Sequence, residues 1–393
     1  MAGSAGPSGS AAAARRALLE RWQATLSARR LYGSTSIAGS SPPSVFVGSA
    51  RYPEVFAGPM LPPVYGDTSL LDSPERWGGM PLERIVGFRL GLVRGMRAVR
   101  ADRPAGRYVE GLQDVAMSSS PADSELEFER PPGGAGLDGL GPPTGPSAPV
   151  RSARLSGASP LRSAERAFYD RDATALESML EMYRDGAGVQ RIQQCLSVGM
   201  LGRGRRMVPT RWSITATDSA ISGFLAGQAA LNPLVDSCRV FRHSGLGNSY
   251  AVVLYPRRWS FELVEAWETG GGLAFGSDYE DPRRPCRSPS TAGAFFAARL
   301  AVTEYLAGKG LQAGALVLRR ISPEYSVPVG VWQVREGVRA AMRGAYEAAG
   351  GFGEALSVAS LATGVPAGSW AAHGRTALAL RQGVMDDYLG CAA

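Results

Sequence analysis

A mixed α/β (α+β) chain of two packed domains, with mixed sheets and flanking helices, is what the sequence predicts, and three observations carry that prediction. Ser249–Tyr255 and Ala315–Ile321 are rich in β-branched or bulky apolar residues, are bounded by turn residues, and read as strands. Phe295–Leu306 and Val331–Tyr346 repeat apolar residues at helical spacing, the second with Val334, Val338, Ala341 and Met342 inward. Strands alternating with helices favour α/β or α+β packing over a helical bundle. The 393 residues, 45% of them hydrophobic, suffice for two cores of ordinary size.

Taken from the amino terminus, residues 1–13 form a Gly/Ser/Ala-rich tail expected to be flexible. Over Ala13–Arg30, Leu18, Trp22 and Leu26 recur every fourth residue and predict an amphipathic helix. Its other faces carry Arg15, Arg16, Arg21 and Arg29, which suit phosphate or plain solvent. Residues 14–130 are expected as an amino-terminal domain. Gly, Pro, Ser and Ala dominate 131–149, which reads either as a linker or as a long surface loop. Residues 150–285 form a central part, 286–380 a carboxy-terminal domain and 381–393 a terminal peptide. Leu176, Met179, Leu180 and Tyr183 predict a helix stopped by Gly186. Met207–Asp218 reads as a strand if Trp212, Ile214 and Ala216 face a core while Ser213 and Thr215 face water. Tyr255–Glu268 reads as a helix if Trp259, Leu263 and Trp267 form its buried side.

The chain carries 42 Lys and Arg against 35 Asp and Glu, a formal net charge of +7 with a pI near 9.4, and every basic side chain except Lys309 is arginine. Arginine grips phosphate with a planar fork and stacks on rings, which favours a phosphate-rich partner; a G+C-rich genome produces the same bias without one. Arg211 and Trp212 set a rigid cation beside a flat ring, and Thr210, Ser213, Thr215, Thr217 and Asp218 add short donors and acceptors. Such a cluster suits a ligand with both negative charge and flat rings, as nucleic acid has. Arg257, Arg258, Trp259, Phe261 and Trp267 interleave cations and rings again. The residues expected to hold nucleic acid or another anion are Arg94, Arg211, Trp212, Arg257, Arg258 and Trp259, each with an internal salt bridge or a core position as the competing explanation.

Glu262, Glu265 and Glu268 would repel phosphate unless neutralised. Either they pair with Arg257 and Arg258, or Glu262 or Glu265 joins a distant acid, Asp67 or Asp218, to hold Mg²⁺ for phosphodiester cleavage. A nucleophile–base site has only His243 and His373 to draw on, and no G-x-S-x-G elbow is present. The four cysteines, Cys195, Cys238, Cys286 and Cys391, contain no C-x-x-C pair, so no zinc is expected. No apolar run reaches the roughly 18 residues of a membrane helix and the amino terminus lacks a signal-peptide core, so a cytoplasmic protein without a membrane partner is expected. The alternative class is an enzyme acting on a small molecule or nucleotide, with Asp67, Asp218, Asn248, Glu262 and Glu336 converging on a central pocket.

Several strings carry a family resemblance. Leu196-Ser-Val-Gly-Met-Leu-Gly202 followed by Met207–Asp218 resembles the signature of the Nre family, archaeal proteins linked to DNA repair. Leu31-Tyr-Gly33, Ser41-Pro-Pro-Ser-Val-Phe-Val-Gly48, Val55-Phe-Ala-Gly-Pro59, Gly66-Asp-Thr-Ser69 and Leu92-Val-Arg-Gly95 resemble its amino-terminal domain. Leu246-Gly-Asn-Ser-Tyr250, the segment Arg258–Trp267 and Pro328-Val-Gly-Val-Trp-Gln-Val-Arg-Glu336 resemble its carboxy-terminal domain. The resemblance covers roughly residues 30 to 390 and implies a DNA partner and a part in DNA repair. It departs from the family at the cysteine-rich zinc ribbon that opens many archaeal members. It also implies a sliding-clamp peptide at the carboxy terminus, where Gln382, Met385, Tyr388 and Leu389 fit the spacing, with Leu389 in place of the last ring.

Overall fold

The computed structural model describes residues 16–17, 20–21, 33–136, 142–156 and 159–376. The tail 1–13, most of the expected helix Ala13–Arg30, Cys391 and the terminal peptide with Gln382, Met385, Tyr388 and Leu389 lie outside the described residues. The chain divides into two compact units, Ala12–Ile221 with Val327–Gly330, and Ser222–Ser326 with Met1–Ala11 and Val331–Ala393. Each has its own six-stranded mixed sheet, an α+β architecture.

In the first unit the strands are β1 (Ser36–Ser41), β2 (Val45–Val47), β3 (Glu54–Leu61), β4 (Val93–Arg100), β5 (Ala122–Phe128) and β6 (Ser147–Leu155), in the order β1-β5-β6-β4-β3-β2. All neighbours are antiparallel except β4 and β6. β5 alternates buried and exposed residues along its whole length, the period of a strand with one wet face. Its inward Leu126 and Phe128 meet Ile37, Leu61, Val93, Ala148 and Val150 in the core. Backbones approach closely at Gly58 on β3 and Gly95 on β4: a Cβ on Gly58 would lie 1.8 Å from the Gly95 carbonyl oxygen. Two glycines of the strings that resemble the Nre amino-terminal domain are thus required by packing alone. The Pro/Gly-rich stretch runs between β5 and β6, with Gly133 bridged to Ser147 and Gly136 to Thr144.

Helices α1 (Leu82–Leu90), α2 (Arg107–Met117), α3 (Arg162–Tyr169), α4 (Ala175–Arg184) and α5 (Val189–Ser197) belong to this unit, and α6 (Thr210–Ala229) starts in it. α4 opens on a capping box between Thr174 and Glu177. It ends before Gly186, whose φ of 83° suits glycine. The segment expected as a strand at Met207–Asp218 is instead the start of α6. Ser213, Thr217 and Ile221, four apart, are its buried stripe. Two of these three are polar, so apolar residues alone show the alternation of Trp212, Ile214 and Ala216 and hide the helical period.

In the second unit β7 (Cys238–Gly245), β8 (Asn248–Tyr255), β9 (Ser260–Thr269), β10 (Gly272–Glu280), β11 (Gly314–Ile321) and β12 (Glu347–Ala349) lie in the order β10-β9-β11-β8-β7-β12. β9 and β11 run parallel and the other pairs antiparallel. One face packs on α7 (Gly293–Lys309) and α8 (Trp332–Arg343), the other on α9 (Phe352–Thr363) and α10 (Ala367–His373). α7 closes on Gly310, which takes the left-handed conformation. The helix expected within Tyr255–Glu268 is the strand β9. Trp259, Leu263 and Trp267 are spaced by four, an even number, and so share a face in a strand as they would in a helix. Ser260 to Ala266 are all buried because both faces of the sheet are covered, and no polar–apolar alternation betrays the strand.

Candidate functional site

Exposed rings and exposed guanidinium groups come together at one place in the first unit. The Ala101 amide donates to the Pro53 carbonyl (2.8 Å) and the Met207 amide to the Ala101 carbonyl (2.7 Å), which ties the loops before β3, after β4 and before α6 side by side. The Val47 amide donates to Thr210 Oγ1 (2.9 Å) and fixes the start of α6 against β2. Trp212, one turn into that helix, is 48% exposed and lies 5.8 Å from the ring of Tyr52, itself 43% exposed, at 50° between planes. Arg51, Arg103, Arg206 and Arg211 are exposed on the same tied segments and none forms an ion pair with an acid, whereas Arg100 is held by Asp102. Arg51 holds a φ of 63°, a left-handed conformation that costs an L-residue about 1 kcal/mol. An exposed ring pair ringed by unpaired cations can stack on a flat group and neutralise an anion at once. The sequence reading found Arg211 and Trp212 but missed Arg51, Tyr52, Arg103 and Arg206, which only the loop contacts bring to them.

The other expected DNA-holding residues are placed differently. Trp259 is 6% exposed, stacks on Phe261 with ring centroids 6.1 Å apart, and belongs to the core; as a surface for a base it is withdrawn. Arg257 and Arg258 remain exposed in the turn between β8 and β9, with Arg257 close enough to the half-buried Tyr279 to act on it electrostatically. Arg94, on β4, is half-buried over the Phe46 ring (4.8 Å), donates to the Gly145 carbonyl (3.4 Å), and has its pKa lowered by burial.

The carboxylates read as Mg²⁺ ligands are separately occupied. Glu262 and Glu265 are three apart on β9 and so project from opposite faces, which rules out their acting together. Glu262 accepts from the amides of Arg375 (2.5 Å) and Thr376 (2.8 Å), and burial raises its pKa. Glu265 pairs with Arg319 (2.5 Å). Asp67 is exposed and accepts from the Ser69 amide (3.0 Å) in a turn; the Ser69 hydroxyl first, and then that amide, hold its pKa down. Asp218 is fully buried on α6 and accepts from Gln193 Nε2 (3.3 Å). Glu336 pairs with Arg339 (2.7 Å). His243 and His373 hydrogen-bond to no carboxylate, hydroxyl or thiol; His373 stacks on Phe275 with centroids 4.0 Å apart. Among the described residues no three His, Cys, Asp or Glu side chains are grouped so as to hold a metal ion.

Two buried polar nodes gather residues of the strings that carry the family resemblance. In the second unit Arg319 donates to Asn248 Oδ1 (2.9 Å), Glu265 Oε1 and Gln333 Oε1 (3.1 Å), and the Tyr250 hydroxyl also donates to Gln333 Oε1 (2.9 Å). Burial works to lower the Arg319 pKa, but Tyr250, Glu265 and Tyr325 outweigh it and leave it raised. In the first unit Asp72 accepts from Ser44 Oγ, Arg89 Nη1 and Gln190 Nε2, and Gln194 links Ser44 to the Val45 amide. Such networks specify a single packing of the elements they join.

Two family models match the chain: archaeal Nre, N-terminal, over residues 11–272, and archaeal Nre, C-terminal, over residues 280–388. The DNA repair protein NreB of Archaeoglobus fulgidus is 38% identical over 318 residues, 79% of this chain and 81% of that protein. NreA of the same organism is 34% identical over 334 residues, covering 82% and 84%. NreA of Haloferax volcanii, also a DNA repair protein, is 34% identical over 358 residues, covering 86% and 84%. No solved structure matches. No described helix is long and apolar enough to cross a membrane.

Proposed function

The chain belongs to the Nre family, and from that membership we propose that it acts in DNA repair by binding DNA through the exposed Tyr52–Trp212 ring pair and the arginines around it. The relatives are named DNA repair proteins, which supports the process. The observation that carries the binding mode is the exposure of two adjacent rings among Arg51, Arg103, Arg206 and Arg211, none of them held in an ion pair. The guanidinium groups take phosphates and the rings take an unpaired base, which stacking holds by about 1–3 kcal/mol. Arg257 and Arg258 add a second cationic turn, which contributes charge without stacking.

Anisotropy of a labelled single-stranded oligonucleotide tests this. Trp212→Ala is expected to weaken binding by about 5- to 150-fold, the equivalent of that stacking energy, with an unchanged melting temperature. Equal affinity of the variant and the parent removes the stacking assignment.

The terminal peptide is the second part of the proposal: Gln382, Met385, Tyr388 and Leu389 engage a sliding clamp as a short helical plug. Removing Gln382–Ala393 is expected to abolish co-elution with a clamp and to leave oligonucleotide affinity in place. Persisting co-elution would exclude that role.

A further inference from the structure

We propose that the second unit carries a surface of its own for the phosphate backbone of duplex DNA, built from Arg257, Arg284 and Arg375 around Tyr279. This rests on the reading that the chain binds DNA, and it adds the paired form, which offers no free base to Tyr52 and Trp212.

Strand register brings these residues to one end of the second sheet. β9 and β10 pair antiparallel, with Tyr279 opposite Glu262 and Glu280 opposite Phe261. The turn Asp281–Arg284 after β10 therefore lies at the same end as the turn before β9 that holds Arg257 and Arg258. Glu262 accepts from the amides of Arg375 (2.5 Å) and Thr376 (2.8 Å), which seats the Arg375 guanidinium 4.6 Å over the Tyr279 ring. Arg257 acts electrostatically on the same Tyr279. A guanidinium held over a ring is already oriented when a phosphate arrives, so less freedom is lost on binding.

The acids of this region are committed to other groups. Glu262 holds its two amides, and Glu280 pairs with Arg299 (3.0 Å). Asp278 accepts from the amides of Ser290 (2.8 Å) and Thr291 (2.7 Å), and Asp281 from those of Arg283 (2.9 Å) and Arg284 (3.0 Å). Arg257, Arg258, Arg283, Arg284 and Arg375 are all exposed, and none is held in an ion pair with a described acid. One face of Tyr279 is taken by Arg375 and Trp259 is buried, so the surface is richer in phosphate donors than in stacking area. Contacts of that kind fix the backbone and leave the bases paired. A duplex, with one charge per about 1.7 Å of axis, offers such donors about twice the charge density of a single strand.

Anisotropy of the full chain with a labelled blunt duplex and with the matching single strand tests the inference. Arg257→Ala combined with Arg375→Ala is expected to weaken duplex binding about tenfold or more at low salt, and single-strand binding less than about threefold, with an unchanged melting temperature. The duplex slope of log affinity against log salt is expected to fall by about 0.9 per lost contact, about 1.8 in all. Arg257→Glu combined with Arg284→Glu, which leaves the packing of Arg375 on Tyr279 in place, is expected to cost the duplex at least as much. Trp212→Ala is expected to do the reverse, weakening the single strand and sparing the duplex, so that each surface can fail without the other. No binding of the duplex by the parent, equal losses for duplex and single strand in the arginine variants, an unchanged duplex slope, or displacement of the duplex by poly-L-glutamate at equal charge would overturn the proposal, the last by assigning the surface to acidic polypeptide.

Discussion

Trp212 and Trp259 each follow an arginine in the sequence, yet one is half exposed beside Tyr52 and the other is sealed under α7 and α8. Nothing local distinguishes them; what decides is which face of its element each occupies, and that depends on partners far along the chain. The two indoles therefore make opposite predictions. Trp259→Ala is expected to cost about 3–5 kcal/mol in urea unfolding, the usual penalty for emptying a core of an aromatic side chain, whereas Trp212→Ala leaves stability in place. Equal unfolding midpoints for the two variants would show the assignment of faces to be wrong. Arg319 is the residue the sequence hid most completely, a cation inside an apolar strand run, although Asn248, Tyr250, Glu265 and Gln333 around it all lie in strings that carry the family resemblance. Arg319→Ala strands Glu265 without its partner in a dry site and is expected to cost about 3–5 kcal/mol, most of it recovered in Arg319→Met combined with Glu265→Leu. A single variant as stable as the parent would remove the network from the account.

At the scale of elements, the strands β8 and β11 and the helices α4, α7 and α8 were legible because their apolar periods were clean and glycines ended several of them. The two segments that held the proposed chemistry were misread, and for physical reasons. α6 buries Ser213, Thr217 and Asp218, so its core stripe is invisible to hydrophobicity; β9 is covered on both faces, so its period of two vanishes. Reading β9 as a strand changes the chemistry of its acids. Glu262 turns away from Glu265 and anchors the chain at Arg375 and Thr376 instead. Burial raises its pKa above the ordinary 4.5, with the hydrogen bonds from Thr376 and Arg375 working against the shift. The fold thus prefers the protonated acid: that preference stabilises fully below about pH 4.5 and is lost as pH rises through the folded pKa. Glu262→Gln, which cannot ionise, is expected to gain on the parent in urea midpoint between pH 4 and pH 7. A gap that is constant, or that moves in the parent's favour, contradicts this.

At the scale of the molecule, family membership was legible from short ordered strings, and the structure shows what several of them do. Ser41–Gly48 supplies Ser44 and Val45 to the Asp72 node and Val47 to the Thr210 contact; Gly58 and Gly95 allow two backbones to touch. The strings were thus mostly records of packing, and the exposed face formed beside them from loops that carry little pattern of their own. Arg51, Arg103 and Arg206 lie up to 155 positions apart in sequence, and no spacing rule connects them. The divisions also differ: the compact units part at Ile221 and Ser222, inside α6, while the two family models part between residues 272 and 280. The net charge of +7 is a property of the whole chain, whereas the proposed binding is local to a few guanidinium groups beside two rings. The most direct measurement is the salt dependence of single-strand affinity for the parent and for Arg206→Ala combined with Arg211→Ala. If the face binds phosphate, the slope of log affinity against log salt falls by about 0.7 per lost contact, about 1.4 in all, and affinity drops most at low salt. An unchanged slope, with the variant still folded, would show that DNA is held elsewhere or not at all.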